Sequence, residues 1–122
     1  MDLKNFLKKQ FGKDLFGVSD DDLLKERIKV EKSVEKISDE ISGLQDKIQA
    51  LLLDSKGKGK TLKLLNVQKI KALRMESSTK QQEATRQLNL LQLILLVEAM
   101  RERQKNKQKS KIVEQVLNTD ID

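Results

Sequence analysis

The chain of 122 residues contains no cysteine, no histidine, no proline, no tryptophan and no tyrosine. Without cysteine there are no disulfides and no thiolate chemistry, and without histidine the commonest general base is missing. Imidazole and thiolate metal sites are excluded together, so neither metal nor cofactor is expected. The lack of proline removes the strongest helix breaker and leaves five glycines as the main punctuation. The three aromatics, Phe6, Phe11 and Phe16, all lie near the N-terminus, so the body of the chain has no ring on which a nucleobase could stack. No apolar run approaches the ~20 residues of a bilayer span, and "MDLKNFLKKQFG" lacks the apolar centre of a signal peptide. A cytoplasmic protein, at most peripheral to a membrane, is the default expectation.

What is present favours long helices. Charged residues make up 36% and apolar residues 37%, the signature of amphipathic helix rather than of a globular α/β core. After a cap at Ser19 and the acidic run Asp20, Asp21 and Asp22, which suits the positive end of a helix dipole, a periodic pattern begins. Leu23, Val30, Val34, Ile37, Ile41, Leu44, Ile48 and Leu51 recur at alternating three and four spacings, and Arg27 alone breaks the set. Such a heptad seam keeps one narrow stripe toward a partner helix.

The first helix, about 20–54, ends at "DSKGKGKT", where Gly57 and Gly59 permit a reversal. A second helix, about 61–105, follows with no Gly or Pro inside it. Two long helices joined by a short loop predict an all-α fold: a long antiparallel coiled-coil helical hairpin over residues 19–108. Residues 1–18 form a short amphipathic N-terminal helix and residues 109–122 a C-terminal extension in this reading. A turn centred between Gly57 and Lys58 sets Leu51 against Leu64 or Leu65, Leu44 against Lys71 or Ala72, and Leu24 against Leu91. The stretch "ESSTKQQEATRQ" offers only Ala84 to the seam and reads as a weakly paired midsection.

Residues 88–100, "LNLLQLILLVEAM", are apolar at ten of thirteen positions. Leu88, Leu91 and Leu95 can meet the first helix, whereas Leu90, Leu93, Ile94 and Val97 spread onto other faces. One partner helix is too narrow to cover them all, so these four are the candidate self-association residues of a homo-oligomer. Near the N-terminus Leu3, Phe6, Leu7 and Phe11 share one helical face, which suits either membrane contact or closure of a three-helix bundle. At the other end "SKIVEQVLNTDID" reads as a frayed end of the second helix or a short docking helix.

The net charge of +6 is concentrated in two places. Residues 57–75 carry Lys58, Lys60, Lys63, Lys69, Lys71 and Arg74 with no acid, and residues 101–111 carry Arg101, Arg103, Lys105, Lys107, Lys109 and Lys111 against one Glu. A polyanion, either an acidic membrane or nucleic acid, is the matching partner. Nucleic-acid binding would be sequence-independent and steeply salt-sensitive, since no reading module is visible. "GKGKT" ends like a phosphate-binding loop, but Asp54 stands where its first glycine belongs and no strand precedes it. The carboxylates of the first helix read as solvent-side partners for Lys and Arg. No catalytic constellation emerges, which leaves binding and assembly, or a coiled-coil adaptor or chaperone for another helical protein.

The Phe-containing start "FLKKQFGKDLFG", the acidic-to-mixed first helix, the Gly and Lys loop and the longer basic helix beginning "KTLKLLNVQKIKALRM" resemble the core hairpin of ESCRT-III proteins and the related PspA membrane-remodelling proteins. The resemblance covers about residues 1–104 and lies in layout and charge. It implies a protein that polymerises through stacked hairpins and lays its basic face and N-terminal helix on an acidic membrane.

Overall fold

The structure, a computed structural model, describes residues 17–120. It is an all-α helical hairpin of two long helices, α1 over Asp20–Asp54 and α2 over Lys60–Asp120. Ser19 is the N-cap of α1: its carbonyl accepts from the Leu23 amide at 2.9 Å and its hydroxyl from the Asp22 amide at 3.2 Å. The acidic first turn then lies against the partly positive end of the helix. At the far end of α1 the Lys58 amide reaches the Ser55 carbonyl at 3.2 Å, and Gly57 takes φ +77°. That left-handed conformation costs a residue with a Cβ about 1–2 kcal/mol, which is why glycine stands there. Helix α2 restarts with the Gly59 carbonyl accepting from the Lys63 amide at 3.0 Å.

Helix α2 continues to Asp120, well past the end expected near residue 105. Nothing after Gly59 breaks it, and the Lys, Gln, Glu and Leu that fill residues 101–117 are good helix formers. From Glu102 to Thr119 every residue is exposed.

The chain packs as two compact units. Of the described residues, one takes 17–28 together with 91–120, and the other is Lys29–Leu90. Within the second, Val30, Ile37, Leu44 and Ile70 are buried, with Val34, Ile41, Ile48, Leu51 and Leu73 half-buried beside them. Within the first, Leu23, Ile94 and Val97 are buried, and Leu23 and Ile94 almost completely so. The α1 seam is therefore the one its heptads dictate.

The register differs from the expected one. Glu40 pairs with Lys80, and the side chain of Asn66 reaches Asp54 and Ser55. Partners add to about 120 in residue number rather than 115. Leu64 and Leu65 are thus exposed instead of facing Leu51, Leu44 lies beside Glu76, and Leu24 beside Glu98 and Glu102. The physical reason is Asn66. It is the first buried residue of α2, and its three polar contacts at the end of α1 leave the opening turn of α2 beyond the seam.

Candidate interaction surfaces

The leucine-dense stretch divides in two. Leu90, Ile94 and Val97 are buried within the chain and Leu93 is half-buried, so the four residues proposed for self-association do not form an outer face. The expected register had turned these residues outward, and the actual one turns them in. Left in solvent are Leu88, Leu95, Leu96 and Met100, each 45–49% exposed. On α1, in the same unit as Leu95, Leu24 and Ile28 one turn apart are also exposed. Helical spacing places Leu95 on the side of α2 that carries Glu98 and Glu102, the side on which Leu24 lines an open groove.

Charged and polar groups close the seam where apolar residues are missing. Arg27, which interrupts the α1 heptads, meets Glu98 at 3.5 Å, with the facing Nε and Oε1 atoms both buried. In the midsection that the sequence leaves nearly empty, Ser77 is buried, Ala84 and Gln87 are half-buried, and Lys80 bridges to Glu40. Glu40 is therefore a seam residue rather than a solvent-side carboxylate. The Lys80 ammonium, hydrogen-bonded to it, holds its pKa below the ordinary value, and Lys80 is raised in return. Apart from Ala84, sequence reasoning missed this set because its members, Ser77, Lys80, Gln87 and Glu40, are polar. The signal was available in spacing alone: Asn66, Leu73, Lys80, Gln87, Ile94 and Arg101 stand seven apart.

Asp20 gathers two of the cations assigned to polyanion binding. Lys105 Nζ donates to it at 3.0 Å and Arg101 Nη1 at 2.9 Å, while Arg101 Nη2 donates to the Val18 carbonyl at 2.6 Å. The Lys105 hydrogen bond, then that of Arg101, lowers the Asp20 pKa, and Lys105 is raised. Arg101 and Lys105 are thus paired within the chain, Lys105 in an exposed salt bridge. Arg103 and Lys107 remain exposed on the same helix.

The loop end of the hairpin combines both kinds of exposed surface. Lys58, Lys60, Lys63, Lys69, Lys71 and Arg74 are all exposed, as the sequence suggested. Lys58 meets Asp54 at 3.6 Å, whereas Lys56, Lys60 and Lys63 form no salt bridge among the described residues. Between them stand Leu52, Leu53, Leu62, Leu64 and Leu65, 49–58% exposed. Asp54 is held below the ordinary aspartate range, first by the Asn66 amide and then by Lys58. This leucine cluster was not anticipated, because the expected register hid Leu64 and Leu65 in the seam.

Leu3, Phe6, Leu7 and Phe11 lie outside the described residues. No helix among the described residues is long and apolar enough to cross a membrane. Comparison of the chain with protein-family models, with curated proteins and with solved structures found no match.

Proposed function

We propose that this is a non-enzymatic helical-hairpin protein that associates with further copies of itself and sits on an acidic surface, a membrane in preference to nucleic acid. One observation carries the reading. The seam is closed inside a single chain, yet Leu24, Ile28 and Leu95 remain on an outer side, 39–45% exposed, where nothing among the described residues covers them fully. Moving a Leu or Ile from water into a packed interface is worth roughly 1.5–3 kcal/mol, so a second copy presenting the same side gains from docking there. The exposed lysines and arginines of both basic segments supply steering toward an anionic surface, with the salt dependence that follows. The layout shared with ESCRT-III and PspA hairpins supports the same reading by analogy.

The test for self-association must avoid the buried side chains. A charge at Ile94, 0% exposed, would unfold the hairpin rather than dissociate it. Leu95→Glu is the informative variant, because that side chain is already half in water. It is expected to keep its helicity by circular dichroism and to lose higher-mass species in light scattering. An unchanged mass distribution would exclude this side as the interface.

Sequence-independent nucleic-acid binding is the second reading, favoured by the row Arg103, Lys107, Lys109 and Lys111 on an exposed helical segment. A duplex titration at two salt concentrations decides it, since phosphate contacts give an affinity that falls steeply with salt.

A further inference from the structure

We propose that the hairpin tip, the end of α1 with the first turns of α2, is a docking site for the surface of an anionic lipid bilayer. The inference rests on the acidic-surface half of the function proposed above and names both the place and the partner. It starts from the register. Asn66 is tied to Asp54 and Ser55, at 3.1 and 3.0 Å, so residues 60–65 of α2 lie past the last seam contact. Leu62, Leu64 and Leu65 are left half in water together with Leu52 and Leu53.

The arrangement of these leucines selects the occupant. At 100° per residue, Leu62 and Leu65 share one face of α2 while Leu64 points well away from it, so one partner helix or one protein face would cover only part of the set. A lipid surface deforms around what enters it and can receive all three. Lys56, Lys58 and Lys60 fall between Leu53 and Leu62 and Lys63 between Leu62 and Leu64, and Asp54, the one carboxylate within residues 50–75, is occupied by Asn66 and Lys58. A lysine stem lies along apolar surface while its ammonium stays in the polar layer, so leucines at the acyl boundary and lysines at the phosphates are compatible at one shallow depth. Nucleic acid fits the same cations but not the leucines. It would leave five apolar side chains in water, and the tip has no aromatic ring for stacking.

The full chain is tested by flotation with phosphatidylcholine vesicles and with vesicles that also carry phosphatidylglycerol. Wild type is expected to float with the anionic vesicles alone and to be released by salt. The double variant Leu62→Ser, Leu65→Ser, with helicity checked by circular dichroism, is expected to bind at least about tenfold more weakly. Lys60→Gln with Lys63→Gln should weaken binding and flatten its salt dependence. Because the chain has no cysteine, a polarity-sensitive dye on Leu62→Cys reports the site directly and should shift to the blue with anionic vesicles only. Anionic flotation that both tip variants leave unchanged, with a silent dye, would overturn the tip as the docking site while leaving the acidic-surface reading intact. Equal flotation with neutral vesicles would remove the anionic partner. No flotation, with tight duplex binding instead, would overturn the membrane reading and the tip proposal together.

Discussion

Asn66 occupies a position where a heptad seam ordinarily takes an aliphatic side chain, and its amide donates to Asp54 and Ser55 at the end of α1. A polar seam residue of this kind fixes register, because any slip leaves its donors buried without partners. Asn66→Ala is expected to cost about 1 kcal/mol in urea unfolding and to speed hydrogen exchange in the loop; unchanged exchange would deny it the register role. Arg27 and Glu98 make a second such place. Removing Glu98 alone, as Glu98→Leu, should destabilise, because the buried Nε of Arg27 loses the carboxylate it faces. Replacing both by Leu should restore or exceed wild-type stability, and a double variant weaker than Glu98→Leu would contradict this. Acid acts on the same scale. Asp20, Asp54 and Glu40 all titrate below their ordinary values in the folded chain. The stability they contribute is complete above about pH 4–5 and is lost as pH falls through their depressed folded values. Lys80 and Lys105 are raised, so their contribution is complete below the ordinary lysine range and disappears above it. The unfolding midpoint should therefore decline at both extremes, and a flat profile down to about pH 2 would show that these pairs contribute nothing.

For the helices as elements, the local rules read from the sequence hold where the residues obey them. The start of α1 was legible because Ser19 and three aspartates are an N-terminal signature, and its inner face because Val30, Ile37 and Leu44 keep strict heptads. The turn was legible in its glycines. Gly57→Ala is expected to lower stability by about 1–2 kcal/mol, entirely through backbone strain, since a Cβ there meets nothing within 4 Å. The register of α2 was not legible. Its seam runs through Asn66, Ser77, Lys80 and Gln87, which apolar periodicity does not recognise, and the apolar stretch that follows offers leucines to every face. Three of the four chosen as an outer face, Leu90, Ile94 and Val97, went inward as a result. The end of α2 escaped too, because a polar helix with no breaker has no visible terminus. Of the candidate surfaces the lysines were legible as a charge run, and the leucines among them were not.

On the scale of the whole molecule, the balance to explain is between what the chain hides within itself and what it leaves in water. Its buried core among the described residues is small, eight aliphatic side chains shared between the two units, while Leu24, Ile28, Leu95, Leu96 and Met100 stay partly exposed. Apolar surface rimmed by charge is the mark of an interaction site. Sedimentation equilibrium of the full chain over a wide concentration range tests the association claim most directly. The account predicts an average mass that climbs above the 14.0 kDa of one chain as concentration rises, and that returns to it in the Leu95→Glu variant. A mass that stays at one chain throughout, for wild type and variant alike, would contradict it.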